Sequence, residues 1–227
     1  MIGFYNYTII LTFLSLVSSI FGMTQAIDGH FKTALVCLAF SGLCDAFDGK
    51  VARTKKSRTD DERFFGIQLD SLCDMVGFGA FPALICYLLG VRGYVGCIAI
   101  SYYCICGVIR LSYYNTLETK QLLSDEESAP GPKVYYGLPI TSIAVALPII
   151  FLTNFFVPAK VFPVVLIVML FGIGTCYIVG FKFKRPPLPA MIAIGAAVAA
   201  ALVITILYSE YDIKVWKYFD FTKWLRM

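Results

Sequence analysis

Two apolar stretches that carry aspartates decide the fold of this chain: LVCLAFSGLCDAFDGKVAR (35–53) and GIQLDSLCDMVGFGAFPALICYLLG (66–90). Their apolar character predicts membrane-spanning helices, yet together they contain four carboxylates, those of Asp45, Asp48, Asp70 and Asp74. A carboxylate at the centre of a spanning helix costs roughly 2.5–3.5 kcal/mol, so four cost on the order of 10 kcal/mol. Positive charge has to compensate this cost, and a pair of divalent metal ions is the most direct source.

The composition of the chain is that of a membrane protein. Of its 227 residues, 59% are hydrophobic and 15% are charged, and the mean hydropathy is +0.76. A soluble domain of this size has about a quarter of its residues charged. We therefore predict an all-α polytopic integral membrane protein that forms a single membrane domain over 1–227, with spans near 7–27, 31–49, 66–91, 93–115, 136–157, 161–181 and 188–208.

The cysteines and the single histidine limit the kinds of site that the chain can build. All eight cysteines lie in apolar segments without a CxxC pair, so we interpret them as packing residues rather than disulfide partners or zinc ligands. His30 is the only histidine, which excludes a multi-histidine metal site.

The net charge of +4 is modest, and we expect no nucleic-acid partner.

Basic residues concentrate on one side of the predicted spans. The loops after the second, fourth and sixth spans hold Lys50, Arg53, Lys55, Lys56, Arg58, Arg63, Lys120, Lys133, Lys182, Lys184 and Arg185, whereas the opposite short loops hold Lys32, Arg92 and Lys160. This bias predicts a cell-membrane protein with the aspartate-bearing side in the cytoplasm. The basic tail from 209 onwards conflicts with seven spans, and either an interfacial helix or a miscounted span would explain it.

The spacing of the aspartates places them on two helix faces. Asp45 and Asp48 are three residues apart and Asp70 and Asp74 are four apart, so each pair shares one face of a helix. Such oxygen-rich faces suit Mg²⁺, Mn²⁺ or Ca²⁺. Paired metals of this kind can hold the entering and leaving oxygens of a displacement at phosphorus. Small residues beside the carboxylates would allow close helix packing or the approach of a ligand; they are Gly49, Ala52 and Gly66.

The pattern D-x-x-D-G-x-x-A-R (45–53) followed by G-x-x-x-D-x-x-x-D (66–74) resembles the signature of the CDP-alcohol phosphotransferases. These membrane enzymes move a phosphatidyl-type group from a CDP-linked lipid to an alcohol and release CMP. The resemblance implies a six-helix core with one or two extra C-terminal helices, two divalent cations (Mg²⁺ or Mn²⁺, with Ca²⁺ as a substitute) and a homodimer. Twelve residues separate Arg53 from Gly66, a longer spacing than is usual in the family.

Three further blocks are similar to those of bacterial-type phosphatidylserine synthases: LDSLCDMVGFGAFPA (69–83), IRLSYYN (109–115) and YYGLPI (135–140). This similarity implies that CDP-diacylglycerol and L-serine are the substrates and that phosphatidylserine and CMP are the products. The chain departs from the subfamily at Tyr113, where a basic residue is usual, and at Gly77, where a serine is usual. Inositol phosphate, glycerol phosphate and an archaeal-type lipid remain alternative acceptors.

The resemblance also implies roles for individual residues. The four aspartates would hold the metals, and Asp74 would be the general base that takes the proton of the acceptor hydroxyl. Contacts to the nucleotide or its phosphates are implied for Gly49, Ala52, Arg53 and Gly66.

Arg110 and Asn115 lie outside the signature, near one end of an apolar span. Arg110 is either an interfacial anchor or a bidentate ligand of a phosphate or of the serine carboxylate, and Asn115 would help at the same place. A divalent-cation transporter is the alternative from another class, because carboxylates within a membrane also mark ion paths.

Overall fold

The computed structural model describes residues 3–4, 7–52, 59–123, 135–183 and 188–208. Over these residues the structure is almost wholly helical, which confirms the predicted all-α class. The α-helices are α1 Ile10–Ile27, α2 Phe31–Ala52, α3 Asp60–Asp74, α4 Phe81–Leu88, α5 Gly93–Leu123, α6 Ile143–Phe151, α7 Phe162–Ile178 and α8 Leu188–Tyr208. Short 3₁₀ segments lie at Tyr7–Ile9, Ile140–Ser142 and Leu152–Phe155, and a π-helical segment occupies Met75–Ala80.

The described helices have the lengths and composition of a multi-pass membrane protein. Three segments are long and apolar enough to span a membrane: Ile10–Ile27, Asp60–Leu88 and Gly93–Lys120. Shorter apolar helical segments follow at Ile140–Phe155, Phe162–Ile178 and Gly195–Leu207. When α3 and α4 are counted as one rod, six helices precede α8, as predicted for a six-helix core with an extra C-terminal helix.

Two helix boundaries differ from the predicted spans. The α3 helix begins at Asp60 rather than near 66. Thr59 caps it, because its Oγ1 accepts a hydrogen bond from the amide of Glu62 at 3.3 Å, and acidic residues fill the first turn, where the helix dipole favours them. The α5 helix continues to Leu123 rather than ending near 115. Much of the predicted polar loop before 66 is therefore helical.

Helices α1 and α2 form an antiparallel hairpin whose contact is lined by hydroxyl groups. The turn between them uses Gly29 at φ +85°, a conformation that favours glycine. Ser19 Oγ lies 2.8 Å from Ser41 Oγ, and Ser41 Oγ donates to the carbonyl of Ser15 at 2.9 Å. Because the hydrophobic effect contributes little between helices in a membrane, small polar contacts of this kind hold them together. They fix α1 against the half of α2 that carries the aspartates.

A π-helical turn separates α3 from α4, and Pro82 explains it. Proline has no amide hydrogen, and its ring clashes with the carbonyl four residues earlier, here that of Phe78. The wider turn relieves the clash, and the amide of Phe81 donates to a carbonyl five residues back. The hydroxyl of Tyr103 on α5 donates to the displaced Phe78 carbonyl. The helix thus changes its geometry directly after Asp74, as π turns often do at functional sites.

A short strand pair ties the segment before α6 to the end of α7. Strand β1, Tyr135–Tyr136, pairs antiparallel with β2, Lys182–Phe183, so the basic loop predicted at 182–185 begins as a strand. Gly137 turns the chain at φ +73°. A Cβ at this position would lie 3.1–3.2 Å from three backbone oxygens at the end of α7. Both the conformation and the lack of space therefore favour glycine.

The last described helix, α8, packs against α2 and α6. Lys32 Nζ donates to the carbonyl of Ile206 at 3.2 Å near the end of α8. A lysine at this position also interacts favourably with the helix dipole. The predicted interfacial tail from 209 onwards lies outside the described residues.

Candidate active site

The carboxylates of α2 and α3 converge, as their spacing predicts. Asp45 lies in the second half of α2, and Asp70 and Asp74 lie at the end of α3. One oxygen from each of these three carboxylates lies within 4.8 Å of the other two. All three side chains are half-buried. Two consecutive helices thus bring three of the four predicted aspartates together.

Asp48 belongs to the same region but not to that triangle of oxygens. Its side chain is buried, and it lies close enough to Asp70 for the two carboxylates to interact electrostatically. Thr12 on α1 donates its hydroxyl to Asp48 Oδ2 at 3.4 Å. Thr12 of α1 is therefore a neighbour of the four aspartates, and their spacing in the sequence does not predict this.

The donor set fits a divalent cation. Every candidate ligand is a carboxylate oxygen, which hard cations such as Mg²⁺ and Ca²⁺ prefer. Oxygens on opposite sides of one such cation, each at 2.0–2.6 Å, are about 4–5 Å apart, which matches the spacing found here. Asp70 Oδ1 is buried and has no hydrogen-bond partner among the described residues. A buried charged oxygen without a partner is costly. The close approach of these carboxylates is therefore more favourable with a cation bound between them than without one.

A cavity of about 180 Å³ opens beside the carboxylates. Asp45, Asp70 and Asp74 form one side of it, α5 forms another, and Pro139–Thr141 before α6 form a third. The wall from α5 contributes Arg110, Leu111, Tyr114, Asn115 and Glu118. The lining of the cavity therefore combines the acidic cluster with the guanidinium of Arg110 and the carboxylate of Glu118.

Arg110 is buried at this cavity, with 7% of its surface exposed. Its guanidinium carbon lies 4.5 Å from the ring centroid of Tyr114, in a cation–π arrangement. A buried and stacked guanidinium does not fit an interfacial anchor that extends towards the lipid headgroups. Arg110 and Tyr114 both line the cavity.

Asn115 ties the cavity wall of α5 to α3. Its Oδ1 accepts a hydrogen bond from Ser71 Oγ at 2.6 Å, and its Nδ2 donates to Gln68 Oε1 at 3.5 Å. Ser71 follows Asp70 directly. Asn115 thus lies at the predicted place, but its observed contacts are with protein groups that hold α3 in position.

Three of the four residues predicted to contact the nucleotide lie in the described part of the chain. Gly49 and Ala52 lie in the last turns of α2, and Arg53 lies outside the described residues. Gly66 is in α3, and a Cβ built there would meet no atom of the described residues within 4 Å.

Sequence reasoning does not find Thr12, Tyr114 or Glu118, although all three touch the site. Tyr114 lies one turn after Arg110 and Glu118 lies two turns after it, so an analysis of the α5 face would have found both. Thr12 carries no local signal, because its contact with Asp48 depends on the packing of α1 against α2.

Comparisons with known proteins agree with this geometry. The family model described as CDP-alcohol phosphatidyltransferase matches residues 5–178, which contain the whole carboxylate cluster and the cavity. No solved structure gives a significant match.

Curated relatives are similar over the same region. An archaetidylserine synthase of Methanothermobacter thermautotrophicus is 32% identical over 65% of this chain and 58% of its own length. A CDP-diacylglycerol–serine O-phosphatidyltransferase of Mycobacterium tuberculosis is 30% identical over 60% of the chain and 46% of its own length. The Bacillus subtilis protein of that name is 29% identical over 69% of the chain and 77% of its own length. The alignments thus span about half the length of the first two relatives.

Proposed function

Because the chain belongs to the CDP-alcohol phosphatidyltransferase family, we propose that it transfers a phosphatidyl group from CDP-diacylglycerol to the hydroxyl of L-serine. The serine oxygen forms a bond to the phosphatidyl phosphorus, the bond from that phosphorus to CMP breaks, and the hydroxyl proton passes to the enzyme. The products are phosphatidylserine and CMP. The observation that carries the proposal is the convergence of three carboxylates beside a cavity that also contains a buried arginine.

Asp45, Asp70 and Asp74 would hold divalent cations, Mg²⁺ or Mn²⁺ with Ca²⁺ as a substitute, and Asp48 would complete the set for a second ion. When bound, the cations would neutralise charge on the diphosphate and make CMP a better leaving group. The unpartnered oxygen of Asp70 supports this assignment. The four aspartates would therefore bind the diphosphate through these cations.

Asp74 is the proposed general base. It lines the cavity, so an acceptor hydroxyl placed there can approach its carboxylate. A carboxylate that shares its charge with cations is a weak base, and positioning of the hydroxyl within hydrogen-bond reach supplies much of the catalytic effect. Asp74 would receive the proton as the new bond to phosphorus forms.

The charges of the α5 wall favour an amino-acid acceptor over a sugar phosphate. Arg110 can pair with a carboxylate, and the carboxylate of Glu118 in the same cavity attracts an ammonium group and repels a phosphate. L-Serine carries both of the complementary charges, whereas inositol phosphate and glycerol phosphate carry only negative charge. The names of the mycobacterial and Bacillus relatives support the same acceptor.

The remaining assignments rest on the family and on the sequence. Gly49, Ala52, Arg53 and Gly66 would contact the cytidine diphosphate part of the donor. The absence of described residues within 4 Å of a Cβ built at Gly66 supports this role for Gly66. The distribution of basic residues supports a site that faces the cytoplasm from the cell membrane. A homodimer is the proposed assembly in the lipid bilayer.

Purified protein in detergent with Mn²⁺, CDP-diacylglycerol and one acceptor at a time tests the proposal. CMP release should depend on L-serine and should equal the phosphatidylserine formed, with little release when inositol phosphate or glycerol phosphate replaces serine. Release with inositol phosphate but not with serine would overturn the choice of acceptor. Failure with every acceptor, together with Mn²⁺ flux into protein-containing liposomes, would favour a cation transporter instead.

A pair of variants locates the chemistry in the same assay. Asp74→Asn should abolish turnover and leave the protein folded, whereas Asp61→Asn, which changes an exposed carboxylate on the same helix, should retain wild-type turnover. More than about a tenth of wild-type activity in Asp74→Asn would reject Asp74 as the base, because general-base catalysis contributes about 10²–10⁴-fold.

A further inference from the structure

Two buried tyrosines outside the proposed chemistry connect two walls of the cavity. Tyr103 on α5 is fully buried, and Tyr177 near the end of α7 is 4% exposed. Their ring centroids lie 5.8 Å apart with a tilt of 43°, a distance at which aromatic pairs attract each other. The Tyr103 hydroxyl donates to the carbonyl of Phe78, one turn after the cavity-lining Asp74, and the Tyr177 hydroxyl donates to the carbonyl of Ile140, which lines the cavity.

Tyr103 holds the wall that contains Asp74. Its hydroxyl donates to the carbonyl of Phe78, which lies one turn after Asp74 in the π-helical segment. That carbonyl has lost its usual α-helical donor, because Pro82 has no amide hydrogen. A buried carbonyl without a donor is costly, so Tyr103 stabilises the wide turn that follows Asp74.

Tyr177 holds the wall across the cavity. Its hydroxyl donates to the carbonyl of Ile140 at 2.9 Å, and Pro139–Thr141 line the cavity. The same wall is tied to the end of α7 by its backbone, since the amide of Gly137 donates to the Phe181 carbonyl at 2.9 Å and the amide of Leu138 donates to the Cys176 carbonyl at 3.0 Å. The position of this wall therefore follows the position of α7.

We propose that Tyr103 and Tyr177 are positioning residues that together set the separation between Asp74 and the Pro139–Thr141 wall. The inference rests on the proposed function, because the acceptor hydroxyl would approach Asp74 in the space between Asp74 and this wall. Neither tyrosine touches the reacting atoms. Each acts through one carbonyl, and the contact between their rings couples the two walls.

Tyrosine-to-phenylalanine variants test the proposal, because they keep the rings and remove only the hydroxyls. We expect Tyr103→Phe to lower kcat about tenfold, because it loosens the turn behind Asp74, and Tyr177→Phe to raise the KM for the acceptor by a similar factor. The double variant should differ from the sum of the single effects, since the two rings are in contact.

Tyr102→Phe is the matched control. The Tyr102 hydroxyl lies 3.0 Å from Thr175 Oγ1, so it joins α5 to α7 as the proposed pair does, but its partner is a side chain of α7 and not a backbone carbonyl at Asp74 or in the Pro139–Thr141 wall. The control should keep both kcat and KM. If the Tyr103 and Tyr177 variants melt at lower temperature but match the control in kcat and KM, their role is structural only and the proposal is wrong.

Hydrogen exchange measured by mass spectrometry separates this proposal from the proposed function. Amides at 137–142 should exchange faster in Tyr177→Phe than in wild type, and those around the π-helical segment should exchange faster in Tyr103→Phe. Unchanged exchange at both walls would overturn the inference even if the enzyme is active. Wild-type protein that is inactive with every acceptor would overturn the proposed function, and the exchange data would still show whether the walls are coupled.

Discussion

Replacing Asp70 by asparagine should stabilise the cation-free protein and remove most of its stabilisation by divalent cations. Oxygens of Asp45, Asp70 and Asp74 lie within 4.8 Å of one another. Two full charges at this distance would repel by about 3 kcal/mol at an effective dielectric constant near 20, and the net repulsion is limited because carboxylates that share a site can take up a proton. Asparagine has nearly the same size and carries no charge, so it removes a repulsion of up to about this size.

Thermal unfolding in detergent measures this effect. In chelator, Asp70→Asn should melt above the wild type by up to about 10 °C, since about 3 kcal/mol corresponds to a shift of that size for a chain of this length. Addition of Mn²⁺ should raise the Tm of the wild type, because the cation binds the folded protein, and should raise that of the variant far less.

Asp61→Asn is the control for this experiment, because it removes an exposed charge from the same helix. It should melt and respond to Mn²⁺ as the wild type does. An equal response to Mn²⁺ in the wild type and in Asp70→Asn would refute the reasoning. Melting of Asp70→Asn below the wild type in chelator would refute the assumed repulsion.

Three other predictions concern packing, the acceptor and the cation. Gly22→Ala should lower the stability by about 1–3 kcal/mol, because its Cβ would clash with the ring of Phe81. Gly172→Ala should not, because its Cβ would meet no described residue within 4 Å, and equal melting of the two variants would contradict the observed packing. Arg110→Lys should raise the KM for serine about tenfold with little change in Tm, because lysine keeps the charge but loses the planar stack on Tyr114. An unchanged KM would reject a role for Arg110 in binding the acceptor. Chelation should stop CMP release, and Mg²⁺ or Mn²⁺ should restore it; turnover that persists in excess chelator would exclude a required cation.

The carboxylate cluster can be predicted from the sequence because it depends on the spacing of residues within single helices. Spacings of three and four residues place each pair of aspartates on one face, and the cost of charge within a membrane requires a common partner. The all-α class follows from the same apolar runs. Asp48 shows the limit of this reasoning, because its interaction with Thr12 depends on how α1 packs against α2.

The cavity walls depend on contacts between residues that are distant in the sequence. Tyr177 and Ile140 are 37 residues apart, and β1 pairs with β2 across helices α6 and α7. Neither contact leaves a local pattern. Pro82 does predict a disturbed helix, but it does not predict that Tyr103, from another helix, donates to the Phe78 carbonyl.

Gly77 illustrates a departure from the family pattern that the structure explains. A Cβ at this position would lie 2.9 Å from Ser19 Oγ, and that hydroxyl is held by Ser41 and by the carbonyl of Ser15. The space that a side chain at 77 would use is occupied by a hydroxyl from α1. The sequence shows the glycine, and only the packing of α1 shows what replaces the usual serine.

Anomalous diffraction from crystals grown with Mn²⁺ and CDP-diacylglycerol tests most directly whether the acidic cluster binds cations for phosphatidyl transfer. The account predicts manganese peaks bounded by Asp45, Asp70 and Asp74, with the diphosphate of the donor beside them and peaks lost in Asp70→Asn. A bound donor with no manganese at these carboxylates would contradict it.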